Sequence, residues 1–101
     1  MSVIPEGCSL FVVDIEYIVP MNQVEPVIDS HMDFVHESYK DGRFLMSGPK
    51  VPRSGGLIVM TADSREEAEK YLEHDPFAQE KVAKFRVTEF RASNLHPALK
   101  A

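Results

Sequence analysis

The chain has 101 residues, of which 44% are hydrophobic and 27% charged, a composition expected of a single globular, soluble domain. Its formal net charge of −5, with basic residues scattered along the chain, argues against nucleic acid or an anionic membrane as the main partner. No apolar run reaches the roughly 20 residues that a bilayer span needs, and the N-terminus lacks the pattern of a signal peptide.

The first half of the chain predicts a strand and then a helix. Residues 10–18 are rich in β-branched and aromatic side chains and therefore predict a strand. The helix is expected to begin between Asn22 and Pro26, because Asn22 and Glu25 resemble a capping box and proline is best tolerated in a first turn. It is expected to end at Gly42, a common signal for a helix C-terminus.

The second half predicts three strands and one helix. Ser64 and Glu67 form a clear capping box, so a helix is expected to begin there and to run to about His74. The other predicted segments are a strand over 44–47 that stops before Gly48-Pro49, a polar hairpin loop over 50–54, a strand over 57–61, a last strand over 83–90 and a loose tail over 93–101.

The βαββαβ order predicts an α+β fold, in which a four-stranded antiparallel sheet carries both helices on one face. The first strand, however, is apolar on both of its faces, and so is the third. Two helices cover only one face of a sheet, so we expect the other face to be covered by the same sheet of a second subunit, in an obligate homodimer. The alternative is a monomer whose C-terminal tail shields that face. The two apolar rows of the first strand are Phe11, Val13, Ile15, Tyr17 and Val19 on one side, and Leu10, Val12 and Ile18 on the other.

Two polar residues, His31 and Asp75, occupy the apolar faces of the two predicted helical regions. His31 follows Val24, Val27 and Ile28 at helical spacing, and both polar side chains fall where a residue points toward the core. A buried imidazole and a buried carboxylate are costly unless they are satisfied, and each can satisfy the other. The pattern therefore predicts that the two side chains meet and form a site.

Each residue also has a structural interpretation. A histidine is often half-buried in a helix with a backbone partner, and Asp75-Pro76 is a common N-cap and first residue of a short helical turn. Against this, a carboxylate at the end of the second helix would face the negative end of the helix dipole, at a cost of roughly 0.3–1 kcal/mol. His31 would offset that cost, and a carboxylate beside a histidine fixes its tautomer for acid–base work.

Other candidate sites are weaker. His36 lies about 140° around the helix from His31 and therefore falls on the polar side. No set of three or four histidine, cysteine or acidic residues has the spacing of a metal site, so no metal is expected. Ser47 could act as a nucleophile, but nothing resembles Gly-x-Ser-x-Gly, and Ser47-Gly48-Pro49 is more typical of a strand-ending turn. Gly55-Gly56 suits a hairpin better than a phosphate loop.

Several of these features occur together in one order. They are His31, the run from Gly42 to Pro49 with its Ser-Gly-Pro, Gly55-Gly56 before the third strand, and Asp75-Pro76-Phe77 after the second helix. This ordered set resembles the YciI-like (YCII-related) family over about residues 9–91. The resemblance implies a ferredoxin-like fold assembled as a dimeric α+β barrel, with His31 and Asp75 lining a small cleft between helices and sheet. One such domain would fill residues 1–101, with an N-terminal extension over 1–8 and a tail over 92–101.

Two functional hypotheses follow. The first is a small cofactor-free enzyme of the isomerase or lyase type, acting on a small polar or aromatic-derived metabolite. In it His31 is the general acid or base, Asp75 orients it, Ser47, Gly48 and Pro49 shape the cleft floor and Phe77 forms a wall. The second is a non-catalytic domain that binds a small ligand or a protein partner, with the pair in a structural or ligand-reading role.

The expected partners and location complete these predictions. We expect a homodimer, with further assembly left open, a small-molecule ligand, and neither nucleic acid nor a membrane. Because Cys8 is the only cysteine, no internal disulfide can form, and a cytoplasmic location is expected.

Overall fold

The computed structural model of the chain describes residue 4 and residues 9–99. Within that part, the elements follow the predicted order, with one additional short helix before the last strand. The predicted N-terminal extension, apart from Ile4, lies outside the described residues, as do Cys8 and the last two residues of the tail. The elements are β1 (Ser9–Tyr17), α1 (Met21–Lys40), β2 (Phe44–Pro49), β3 (Gly55–Ala62), α2 (Arg65–Leu72), α3 (Pro76–Gln79) and β4 (Ala83–Phe90), followed by a 3₁₀ turn at Pro97–Leu99.

The four strands form one antiparallel sheet in the order β2-β3-β1-β4. The first and third strands along the chain are therefore central, and β2 and β4 lie at the edges. Val13 pairs with Ile58 on one side and with Val87 on the other, so these three side chains share one face of the sheet. This arrangement confirms the predicted ferredoxin-like α+β fold.

The hydrophobic core lies between this face of the sheet and the helices. Alternation along β1 places one row of side chains in the core, and the helices contribute residues at helical spacing. The best-buried members are Phe11, Val13, Ile15, Phe44, Ile58 and Met60 from the sheet, and Val24, Val35, Ala68, Leu72 and Phe77 from the helices.

The opposite face of the sheet is partly apolar and partly open in the single chain. Met46, Leu57 and Phe90 lie on this face by their strand register, and each is exposed, with Met46 at 58%. Leu10, on the same face, is buried. The sequence prediction that this face is covered by a second subunit stays a prediction.

The predicted start of α1 is wrong in its detail. Pro20 is the N-cap residue, and no side chain caps the helix there, so Asn22 and Glu25 do not form a capping box. The helix begins at Met21, which places Asn22 inside the first turn instead of at the N-cap. Pro26 consequently lies within the helix, where it lacks the N–H that would donate to the carbonyl of Asn22.

The predicted end of β2 is also wrong, because the strand continues through Gly48 and Pro49. Gly48 pairs with Leu57 and Pro49 pairs with Gly56. Proline is tolerated because β2 is an edge strand and does not need a second row of ladder hydrogen bonds. The predicted hairpin loop over 50–54 is confirmed, with Gly55 and Gly56 already in β3.

The capping box at α2 is confirmed in part. Ser64 Oγ accepts a hydrogen bond from Glu67 N at 3.1 Å, as expected of an N-cap serine. The Glu67 carboxylate accepts from the backbone N–H of Asp63, not from that of Ser64. The helix ends at Leu72, two residues before the predicted His74.

A buried hydroxyl pair joins the two longer helices. Ser38 is fully buried, and its Oγ donates to the carbonyl of Phe34 at 2.7 Å and accepts from Tyr71 Oη at 2.5 Å. Replacing Ser38 with alanine is expected to lower the free energy of unfolding by about 1–3 kcal/mol, because the tyrosine hydroxyl loses its partner in a largely dry position. Urea unfolding followed by circular dichroism measures the change.

Ser30 supplies the matched control. Its Oγ donates to the carbonyl of Val27, within the same helix, at 3.0 Å, and the residue is exposed. Ser30→Ala is expected to cost clearly less stability than Ser38→Ala. If the two variants lost equal free energy of unfolding, the hydrogen bond between Ser38 and Tyr71 would contribute nothing to stability.

Candidate active site

His31 and Asp75 meet in the structure, although 44 residues separate them in sequence. His31 projects from the middle of α1, and its side chain is 13% exposed, whereas Asp75 is fully buried between α2 and α3. The distance from His31 Nδ1 to Asp75 Oδ1 is 2.8 Å. The sequence prediction that the two polar side chains contact each other is therefore matched by the geometry.

Asp75 also has the structural role that its sequence context suggests. It is the N-cap of α3, and its Oδ1 accepts a hydrogen bond from Phe77 N at 2.9 Å, while Pro76 opens the helix. One oxygen thus accepts from both the helix N-terminus and the imidazole. The two interpretations of Asp75 are not alternatives, because the same carboxylate oxygen serves both.

This contact defines the tautomer of the imidazole. An ionised carboxylate only accepts hydrogen bonds, so His31 Nδ1 carries the proton and donates it to Asp75 Oδ1. In the neutral ring, Nε2 then has a free lone pair. Within the described residues, no side chain or backbone group hydrogen-bonds to Nε2, so this nitrogen is available to a ligand.

Phe77 fixes the plane of the imidazole. The two rings stack with their centroids 3.8 Å apart and their planes 4° from parallel. Phe77 is itself buried and packs edge-on against Tyr17, with ring centroids 5.8 Å apart. The segment Asp75-Pro76-Phe77 therefore contacts the imidazole of His31 twice. The Asp75 carboxylate binds the edge of the ring at Nδ1, and the Phe77 ring packs against its face.

The second carboxylate oxygen of Asp75 is buried without a hydrogen-bond partner among the described residues. A buried acceptor without a partner costs folding free energy, roughly 1–3 kcal/mol. Helix capping alone does not require a carboxylate at this position, because serine or asparagine caps a helix without burying a charge. The arrangement thus keeps a carboxylate beside His31 at a cost in stability.

His31 opens onto a cleft of about 280 Å³ between α1 and the β2–β3 end of the sheet. The residues proposed from sequence as its floor and wall, Ser47, Gly48, Pro49 and Phe77, all line it together with His31. The other lining side chains are mostly apolar. They are Ile15, Tyr17, Ile28, Met32, Val35, Arg53, Leu57 and Ile58, with Gly55 and Gly56 contributing backbone.

Ser47 lies in the cleft but is not placed as a nucleophile. Its Oγ forms a hydrogen bond with Tyr39 Oη at 2.7 Å and none with His31. A nucleophilic serine needs the histidine within hydrogen-bond distance as its base. Ser47 is therefore a lining residue, as the sequence prediction has it.

Two polar lining residues, Tyr17 and Arg53, are absent from the sequence prediction. Tyr17 belongs to the apolar row of β1, and strand alternation predicts only a core position for it, because the alternation does not register the hydroxyl group. Arg53 lies in the hairpin loop, where a basic residue normally indicates only solvent exposure. In the sequence, the feature that links Arg53 to the cleft is that it follows Ser47-Gly48-Pro49 within a few residues.

A larger concavity of about 640 Å³ lies along β4, but it is less suited to chemistry. Several of its charged side chains are already paired, Lys84 with Glu16 and Arg65 with Glu69. The guanidinium of Arg65 also donates to the carbonyl of Val87. The smaller cleft contains the ordered histidine–carboxylate pair, and we therefore place the candidate site there.

The remaining sequence expectations concern His36, metals and membranes. His36 is exposed, as predicted. Among the described residues, no three histidine, cysteine or acidic side chains are grouped so that they could hold a metal ion. In the same part of the chain, no helix combines the length and apolar character needed to cross a membrane.

Comparisons with known proteins agree with this fold. A family model described as YCII-related domain matches residues 10–91. One similar solved structure is 5-chloro-2-hydroxyhydroquinone dehydrochlorinase (TftG) from Burkholderia phenoliruptrix AC1100 in complex with 2,5-dihydroxybenzoquinone. It has a TM-score of 0.70 and 18% identity over 81% of this chain and 93% of that one. A conserved protein from Methanosarcina mazei Go1 has a TM-score of 0.54 and 11% identity over 83% and 92% of the two chains. No curated protein sequence matches the chain.

Proposed function

The chain belongs to the YCII-related domain family, and on that premise we propose that it is a small-molecule enzyme in which His31 transfers protons and Asp75 positions it. The proposed reaction class is elimination or isomerisation on a small polar or aromatic-derived compound, without a cofactor. The observation that carries the proposal is the 2.8 Å contact from His31 Nδ1 to a fully buried carboxylate, while Nε2 has no hydrogen-bond partner in the described part of the chain.

The chemistry follows from this arrangement. Nε2 accepts a proton from a carbon or hydroxyl of the substrate, and the resulting imidazolium is stabilised by the Asp75 carboxylate. In an elimination, the electron pair of the broken C–H bond forms a double bond while the leaving group departs with its own bonding pair. In an isomerisation, the imidazolium returns the proton to a different atom of the same molecule.

Three features support this proposal over a pair that only stabilises the fold. The imidazole is fixed in tautomer and plane, as a catalytic base requires. Its carboxylate partner has a buried unpaired oxygen that a simple N-cap does not need. A solved neighbour is named a dehydrochlorinase, and removal of hydrogen chloride is an elimination.

The experiment is a screen for proton transfer in the cleft. The probes are 5-chloro-2-hydroxyhydroquinone, assayed for chloride release, and small hydroquinones and 1,3-diketones in D₂O, assayed for deuterium incorporation by NMR. The wild type is expected to turn over at least one probe. His31→Gln is expected to lose that turnover, because glutamine has no basic nitrogen.

His36→Gln is the matched control, since His36 is an exposed histidine five residues along the same helix. It is expected to keep the wild-type rate. Equal rates in the wild type and in both variants would place any turnover outside the cleft and contradict the proposal.

A non-catalytic role has one observation in its favour, the N-cap bond from Asp75 to Phe77 N. In that case the pair would only hold α1 against α3, and ligand binding would proceed without proton transfer. The same screen distinguishes the two functions, because a binding domain would show probe binding by NMR without deuterium incorporation.

We also propose that the protein acts as a homodimer. The support is the apolar part of the outer sheet face, where Met46, Leu57 and Phe90 are exposed in the single chain. A second copy of the same face would remove this surface from water. The histidine–aspartate pair itself lies within one chain.

A further inference from the structure

The β2–β3 loop, residues 50–54, brings an arginine to the candidate site. The loop is closed at both ends by backbone hydrogen bonds, from Lys50 N to the carbonyl of Gly55 at 2.9 Å and from Tyr17 N to the carbonyl of Ser54 at 3.0 Å. These bonds tie the loop to β1 and β3. Arg53 consequently lines the same cleft as His31.

The two cations of this loop differ in their pairing. Lys50 Nζ lies 2.5 Å from Asp14 Oδ1, so its charge is neutralised on the outer face of the sheet. Arg53 is exposed and has no ion-pair or hydrogen-bond partner among the described residues. Arg53 lines the cleft, and its guanidinium has five N–H donors that are not hydrogen-bonded to any described residue.

Arg53 brings the one permanent charge among the described residues that line the cleft, although the chain as a whole carries a formal charge of −5. None of its described lining residues is an aspartate or glutamate. The nearby carboxylate of Asp75 is buried behind His31 and already accepts two hydrogen bonds. The charge on Arg53 is therefore not balanced by any side chain that lines the cleft.

We infer that Arg53 determines substrate specificity and that the substrate is a small planar organic anion, a ring bearing a carboxylate or a phenolate. The inference rests on the proposed function of the same cleft and names its substrate class. The planar guanidinium can bind a carboxylate through two parallel hydrogen bonds, and it can donate charge-assisted hydrogen bonds to the single oxygen of a phenolate. The apolar walls, with Ile28, Met32 and Phe77, accept the ring, and a volume of about 280 Å³ suits one ring better than a larger ligand.

The test is a comparison of two probes of equal shape, benzoate and its neutral counterpart benzamide. Binding to the uniformly labelled protein is followed by NMR, with the ring signals of His31 as the reporter. The wild type is expected to bind benzoate about five- to tenfold more tightly than benzamide, a range typical of a partly solvated charged hydrogen bond. Arg53→Met is expected to remove that preference, mainly by weakening the binding of benzoate.

Arg91→Met is the control, because it removes the same charge at an exposed position that does not line the cleft. It is expected to keep the wild-type preference for benzoate. Equal affinity for the two probes in the wild type, or an undiminished preference in Arg53→Met, would overturn the inference. Absence of any benzoate-induced shift at His31 would overturn it as well.

These outcomes are separate from a failure of the proposed function. The probe measurements record binding alone, whereas the proposed function is tested by proton transfer and its loss in His31→Gln. An enzyme that selects its substrate without Arg53 would show normal turnover and no charge preference. A binding domain would show the charge preference without turnover.

Discussion

Replacing Asp75 with asparagine is expected to slow the His31-dependent reaction by about 10²-fold or more while the protein stays folded. Asparagine keeps an oxygen that can accept from Phe77 N, so the N-cap of α3 is retained. It removes the negative charge that stabilises the imidazolium form of His31 across the 2.8 Å contact. The loss is expected mainly in kcat, with little change in KM, because Asp75 does not line the cleft.

A second variant separates positioning from stability. Asp75→Ala removes both the charge and the N-cap, and is expected to cost about 1 kcal/mol of stability beyond Asp75→Asn. Ser64→Ala removes the N-cap of α2 without touching His31, and is expected to cost similar stability with no change in rate. Steady-state kinetics and urea unfolding on all three variants measure these effects.

The state of the imidazole provides an independent check. The ¹⁵N chemical shifts of the His31 ring report which nitrogen carries the proton, and the wild type is expected to show it on Nδ1. A wild-type kcat in Asp75→Asn would contradict the positioning role. A proton found on Nε2 in the neutral wild-type ring would contradict the assigned geometry.

Replacing Gly55 with alanine is expected to destabilise the protein by about 3 kcal/mol or more, and to abolish folding if the total stability is at the low end of the usual range. A Cβ added to Gly55 would lie 1.8 Å from the backbone oxygen of Ile15, and its φ of +156° disfavours an L side chain. The obstacle is the main chain of a central strand, which cannot move without breaking the sheet pairing.

The other glycines of this hairpin provide graded controls. A Cβ at Gly48 would meet nothing within 4 Å, and one at Gly56 would lie 3.1 Å from the carbonyl oxygen of Gly48. The expected order of destabilisation is therefore Gly48→Ala, then Gly56→Ala, then Gly55→Ala. Urea unfolding of the three variants measures it, and a Gly55→Ala protein as stable as Gly48→Ala would contradict the close approach of the two strands.

The position of Gly55 also concerns the site. Gly55 follows directly after the β2–β3 loop, and its carbonyl accepts from Lys50 N. The close approach to Ile15 thus anchors the loop that carries Arg53 against β1. The sequence pattern indicated only a hairpin glycine here, because a contact with the backbone of a distant strand leaves no trace in local spacing.

Local patterns in the sequence predicted most of the secondary structure. Strand alternation, the serine cap of α2 and the glycine after α1 act over a few residues, and the structure follows them. The errors arose where position in the fold overrides local preference. Pro49 is tolerated in β2 because the strand is at the sheet edge, and Pro26 lies within α1 because the helix begins at Met21.

His31 and Asp75 stand out in the sequence as polar residues at apolar positions, and the cost of burying each alone predicts that they meet. The way in which they meet follows from packing between elements, which places Asp75 at the N-cap of α3 and not within a helix. One oxygen of Asp75 serves both the imidazole and the helix N-terminus, Phe77 stacks on the ring, and Arg53 joins the cleft from a loop. Helical and strand periodicity record which face a residue occupies, whereas the distances between side chains on different elements are set by packing across the core.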